Sequence, residues 1–261
     1  MFGLGHWWRR RAQPGVKVPD ELWERTLDAC EFTRVLGAEE RERLRERVSW
    51  FLGDKVFSGA AGLELDDAKM LAIAAQACML ILGLDTSFYR GWVGVIVYPT
   101  QFLPRHKWVD EAGVVHEDDR ALMGEARHDG PVILSWDDVA NAGPADGVNV
   151  VIHEFAHKLD MLNGSANGYP PLHADMSRKR WSAVFGAAFE DFSRCVARHV
   201  YTPIDPYAAE SPAEFFAVLS ETFFERPDVL QGEYPDVYGQ MRRFYRQDPA
   251  VRLAARAELS A

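Results

Sequence analysis

Residues 147–164 read GVNVVIHEFAHKLDMLNG, and what this stretch can form bears on everything around it. Val148 to Ile152 are apolar apart from Asn149, and Asn163-Gly164 closes the stretch with a pair that commonly stops helices. Between them lies His153-Glu154-Phe155-Ala156-His157. Residues four apart share one face of a helix, so His153 and His157 can reach a single zinc ion together. Glu154 is turned by about 100° from His153 around the axis, which sets its carboxylate beside an open coordination position. There it can accept a proton from an attacking water, as the base of a metal-dependent hydrolysis. The apolar residues ahead of the motif predict a helix buried against a sheet, the rigid seat such a site needs.

A catalytic zinc ion takes a third protein ligand and keeps its fourth position open. The segment KLDMLNG lacks the third histidine of the short HExxHxxGxxH spacing, so the third ligand lies farther along. His173, beside Pro170-Pro171, is one candidate. Glu214 and Glu221 are stronger ones, on a predicted helix behind a proline-rich loop and seven residues apart, hence on one face. Spacing alone does not choose between them.

Outward from this centre the chain changes character twice. To about Leu84 it reads as helical: Pro19-Asp20-Glu21 opens a helix, Leu44, Val48 and Phe51 stand at helical spacing, and Asp66-Asp67 precede the apolar run Leu71 to Leu84. VGVIVYP (Val93 to Pro99), ALMGEAR (Ala121 to Arg127) and PVILSW (Pro131 to Trp136) read as strands, the last two as a hairpin turning at His128-Asp129-Gly130. The strand around Val132 to Trp136 is expected at a sheet edge, where an extended peptide could add. Helix returns over the metal motif, over Ser177 to His199 and over Ala213 to Phe224, with the loop Tyr201 to Pro212 between the last two. Helices, strands, then helices predict an α+β fold with a small mixed or antiparallel sheet and an N-terminal helical lobe. The expected division is a flexible tail over 1–18, the helical lobe over 19–90 and the metal-bearing core with C-terminal helices over 91–261.

The 261 residues are 48% hydrophobic and carry a formal net charge of −10. Such an acidic chain is a poor general binder of nucleic acid, which needs a basic surface. Cys30, Cys78 and Cys195 are odd in number and lack CxxC spacing, which argues against a disulfide framework and a thiolate zinc site. The start MFGLGHWWRRR has its charge after its apolar residues, the reverse of a secretory signal, and Trp7, Trp8 and Arg9 to Arg11 read as a mobile tail. The run Leu71 to Leu84 is too short to span a bilayer. The expectation is a cytoplasmic protein with no membrane and no nucleic-acid partner.

NVVIHEFAHKLDMLNG (Asn149 to Gly164) and IDPYAAESPAEFFAVLSETFF (Ile204 to Phe224) resemble the Mlc titration factor A family of bacterial gluzincin-type zinc peptidases. GVIVYP, GPVILSW and FYRQDP extend the resemblance more weakly over most of the chain. Ala213-Glu214-Phe215-Phe216-Ala217 also resembles the third-ligand helix of the anthrax lethal factor catalytic domain. The resemblance implies a zincin-like core, one zinc ion held by His153, His157 and Glu214, Glu154 as base, and Tyr207 approaching the site to stabilise an oxyanion. Glu221 and Asp160 are then placed to orient a ligating histidine, or to be plain helix charges. It further implies aminopeptidase-like action on peptide substrates and a partner in an Mlc-like repressor of sugar uptake. The alternatives are a binding protein that sequesters such a repressor, with catalysis secondary, and a zinc hydrolase for some other bond.

Overall fold

The computed structural model describes residues 15–101, 106–109, 115–118, 124–126, 130–142 and 145–260. Trp7, Trp8 and Arg9 to Arg11, and the hairpin residues Ala121 to Met123 and Arg127 to Asp129, lie outside the described residues. None of the described helices is long and apolar enough to cross a membrane.

Helix α1 (Asp20–Ala29) opens after Pro19 with two acids in its first turn, where carboxylates complement the helix dipole. Helix α2 (Ala38–Asp54) buries Leu44, Val48 and Phe51 along one stripe. Val56–Gly59 then forms strand β1, inside a stretch whose pattern suggested helix alone. Four residues are too few to show alternation, and β1 exists because β2 (Gly94–Tyr98) supplies a parallel partner, Phe57 opposite Val95. Between them α3 (Asp67–Leu80) is capped by Asp66, whose side chain accepts from the Lys69 amide, and is buried along most of its length. That burial on all sides is why its apolar residues show no single stripe.

Strands β3 (His106–Val109) and β4 (Val115–Asp118) make a separate antiparallel pair. Strands β5 (Gly124–Ala126) and β6 (Val132–Ser135) pair antiparallel with Glu125 opposite Ile133, as the hairpin expectation requires. The main sheet runs β1-β2-β6-β5, parallel across its first three strands and antiparallel at the last. The sheet is therefore mixed and the fold α+β. The strand around Val132 to Trp136 is not an edge: β6 lies between β2 and β5, and β5 is outermost among the described strands. All four residues of β6 are buried, which suits an interior strand covered on both faces and not an edge.

Helix α4 (Trp136–Asn141) follows β6 directly, and α5 (Val150–Asp160) carries the metal motif. Helix α6 (Arg178–Ala197) leads through a loop to α7 (Pro212–Glu225), and α8 (Pro227–Glu233), α9 (Pro235–Tyr245) and α10 (Pro249–Ser260) complete the chain. Helix α5 packs on β5, β6, α3 and α7 together. Its back is fixed by Phe155, fully buried, with ring centroids of Phe51, Tyr89 and Trp92 at 5.7, 5.4 and 5.6 Å. Removing such a ring costs about 3–5 kcal/mol, so the opposite face, with both histidines, is held by a stiff aromatic floor.

Candidate metal centre

Helix α5 starts at Asn149, whose Oδ1 caps it by accepting from the Ile152 amide at 3.0 Å. The same side chain donates through Nδ2 to Gln76 Oε1 on α3 and to Glu225 Oε1 on α7, both at 2.8 Å. The Asn149 amide donates to Glu221 Oε2, and the Gly147 amide to Glu225 Oε2 at 3.0 Å. Two glutamate side chains thus accept hydrogen bonds at the start of α5. Burial pushes the Glu225 carboxyl up to about 8, despite its bonds from Asn149 and Gly147.

One turn into α5 the ligand face begins. His153 Nδ1 lies 2.7 Å from Glu221 Oε1, and a carboxylate can only accept, so Nδ1 carries the hydrogen. That leaves Nε2 as the lone-pair nitrogen, 2.9 Å from Glu214 Oε2 and 3.2 Å from His157 Nε2. His157 Nε2 is 3.3 Å from the same Glu214 oxygen. Glu214 is set at this point by the N-terminus of α7, where Ser211 caps the helix by accepting from the Glu214 amide at 3.1 Å. Burial works against Glu214's charge, but the bonds to His153 and His157 outweigh it and hold the carboxyl well below its ordinary range. For His153 burial disfavours the charged form, yet Glu221, Glu214 and Glu154 raise its pKa well above the usual value.

Three electron-pair donors, two imidazole nitrogens and one carboxylate oxygen, thus point at one another. Neutral imidazoles and a carboxylate in that arrangement call for a proton or a metal ion. The donor separations of 2.9, 3.2 and 3.3 Å fit three corners of a tetrahedron. Zinc bonds of about 2.0–2.1 Å place such corners about 3.3 Å apart. His153, His157 and Glu214 are therefore a donor set of the right chemistry and spacing for a divalent metal.

Glu154 is buried beside them, and its Oε2 has no hydrogen-bond partner among the described residues. Burial raises its carboxyl to about 6; His153 and His157 pull it down, and Glu214 and Glu221 add to the rise. A carboxyl poised there exchanges protons near neutrality. Tyr207 sits in a single 3-10 turn (Pro206–Ala209) pinned by Asp205, which accepts the Tyr207 amide at 2.9 Å. Its ring is half exposed, with its centroid 6.1 Å from that of His153.

The remaining candidates go elsewhere. His173 donates from Nε2 to the Phe244 carbonyl at 2.8 Å and packs against Phe88 and Phe244, so it is not in the donor cluster. Asp160 accepts the amides of Asn167, Gly168 and Tyr169 at 2.7, 2.7 and 2.8 Å, and ties down the loop after the helix. Of the two acids considered as supports, only Glu221 touches a histidine of the motif.

Several residues around the centre were not singled out by sequence. Asn149 carries a helix-start signal, an Asn ahead of an apolar run, that could have found it. Glu225 and Gln76 matter through contacts between elements far apart in the chain, and no local signal marks them. Lys158 donates to the Gly130 carbonyl at 2.8 Å and so ties α5 to the segment leading into β6. Gly124 passes under Glu154: a Cβ there would lie 2.5 Å from Glu154 Cγ and 2.6 Å from its Oε1.

Comparison with known proteins gives the chain's family. An uncharacterized protein of Synechocystis is 35% identical over 257 residues, 96% of this chain and 93% of the relative. Mlc titration factor A of Salmonella arizonae is 38% identical over 252 residues, 94% of this chain and 98% of the relative. Mlc titration factor A of Escherichia fergusonii is 34% identical over 248 residues, 94% and 93% of the two chains. The family described as glucose-regulated metallo-peptidase M90 matches residues 4–246. This chain, with two histidines and a glutamate converging on one point, belongs to the glucose-regulated metallo-peptidase M90 family.

Proposed function

We propose that the chain is a zinc-dependent peptidase of the gluzincin type, aminopeptidase-like in its choice of substrate and working in the cytoplasm. The observation that carries this reading is the meeting of His153 Nε2, His157 Nε2 and Glu214 Oε2 within 3.3 Å, with the carboxylate of Glu154 buried beside them. These three residues hold the zinc ion. When bound, zinc acidifies a water molecule and polarises the scissile carbonyl. Glu154 accepts the proton of the attacking water on its unpartnered oxygen and passes it to the leaving amine. Tyr207, at the exposed side of the centre, donates its hydroxyl to the oxygen on which negative charge develops. Glu221 keeps the proton of His153 on Nδ1 and so keeps Nε2 available as a ligand. An extended peptide lies along β5, the outermost described strand, next to Glu154.

The aminopeptidase preference rests on the family resemblance of the two motifs. The cytoplasmic location is supported by three free cysteines, which suit a reducing compartment. The name shared by the two enteric relatives, Mlc titration factor A, supports a second role, binding of an Mlc-like repressor of sugar uptake.

The test is hydrolysis of aminoacyl-arylamides and of N-blocked peptides by the zinc-loaded chain, with Glu154→Ala beside it and zinc measured in both. Cleavage of free-amine substrates by the wild type alone, at equal zinc content, supports the reading. Equal cleavage by Glu154→Ala defeats it. No cleavage by either, together with capture of an Mlc-like repressor, puts binding first.

A further inference from the structure

We propose that Gly124 on β5 is a positioning residue for Glu154: by having no side chain it leaves the space against the strand in which that carboxylate lies. The consequence for catalysis rests on the reading of Glu154 as the base; the packing claim does not.

Glycine inside a strand is a cost, because it loses more backbone freedom on folding than other residues and offers nothing to pack. Gly124 has no positive φ that would demand it. It stands within the ladder, opposite Leu134 of β6, in a strand only three residues long. The group nearest to the space of its missing side chain is Glu154. A Cβ at this position would meet Glu154 Cγ at 2.5 Å, Oε1 at 2.6 Å and Cδ at 2.8 Å, where ordinary contacts begin at 3.4 Å. The three nearest atoms are all of Glu154, and none is backbone. Helix α5 cannot back away to make room, because Phe155 is locked in its aromatic floor and Lys158 is tied to Gly130. The carboxylate itself must then move by about 1 Å, a displacement that costs about 100-fold in rate where groups must be held in reacting geometry.

The test is a thermal double-mutant cycle on the full chain, with Gly124→Ala, Glu154→Ala and the pair, read with zinc content and with kinetics on aminoacyl-arylamides. Gly124→Ala should lower Tm by about 2–10 °C. In the Glu154→Ala background the same substitution should cost nothing, because the obstructing atoms are gone. Gly124→Ala should also keep its zinc and lose about 100-fold in kcat with KM unchanged. A merely structural glycine would give equal Tm losses in both backgrounds, and that result overturns the proposal. So does a wild-type kcat for Gly124→Ala. Should Gly124→Ala fail to fold, the pair must fold, and failure of the pair also overturns it. Full activity in Glu154→Ala alone would instead sink the peptidase reading, while the thermal cycle would still decide the packing claim.

Discussion

Helix α7 presents three glutamates to the metal-motif helix, and the two ends of that contact behave in opposite ways. At the end near the N-terminus of α5, Glu225 and Glu221 sit in a closed network. Asn149 serves Gln76, Glu225, Glu221 and the start of its own helix, and burial holds the Glu225 carboxyl at about 8. At the other end Glu214 is held far below its usual range by two histidines, and Glu154 Oε2 and His157 Nδ1 are buried without partners among the described residues. The same residue type on one helix thus has its charge disfavoured by burial at one end, in Glu225, and held by two histidines at the other, in Glu214. Buried polar atoms are normally paired, and two unpaired ones beside a set of three converging donors suit a place where something else binds or reacts.

This contrast can be broken by experiment. The largest effect belongs to the open end. Glu154→Ala should lower kcat by about 100- to 10,000-fold with zinc retained, since it removes a proton acceptor and no ligand. Zinc loss in this variant would mean that the two roles are not separable. At the closed end Asn149→Ala should cost about 2–4 kcal/mol in urea unfolding, a lost helix cap plus buried partners left unsatisfied. A cost under about 1 kcal/mol would show that the network does not hold the helix start. Glu221→Ala lies between the ends and should weaken zinc affinity by about 10- to 100-fold through the freed imidazole of His153. Competition with a metal indicator measures this, and unchanged affinity would place Glu221 wholly in the structural half.

A separate effect is one of pH. Glu225 titrates at about 8 in the folded chain against an ordinary 4.5, so the folded state holds the extra proton. Its contribution to stability is complete below about pH 4.5 and is lost as pH rises through about 8. Glu225→Gln should flatten the decline of Tm between those limits. A wild-type Tm that rises over the same window, or a variant with the same slope, would assign the dependence to another group.

Local pattern made the helices legible. Leu44, Val48 and Phe51 mark the buried stripe of α2, Ser177 caps α6, and Asn163-Gly164 stops the turn after α5. The strands were harder to read. β1 has four residues and no periodicity to display, and it is a strand only because β2 lies alongside. β6 is apolar throughout, which says buried but not whether a neighbour stands on each side; β5 stands on the side taken for an edge.

The histidine pair and Glu154 come from the sequence by itself, because a helix fixes the relative placement of residues one turn apart wherever it is packed. His173, Glu214 and Glu221 could not be sorted that way. Glu214 and Glu221 share a face of α7, and only the crossing of α7 over α5 sets one beside both lone-pair nitrogens and the other behind His153. The same holds for Gly124 and Gln76, whose parts depend on distances between elements remote in the chain. Those distances follow from how the elements pack, and packing belongs to the tertiary structure.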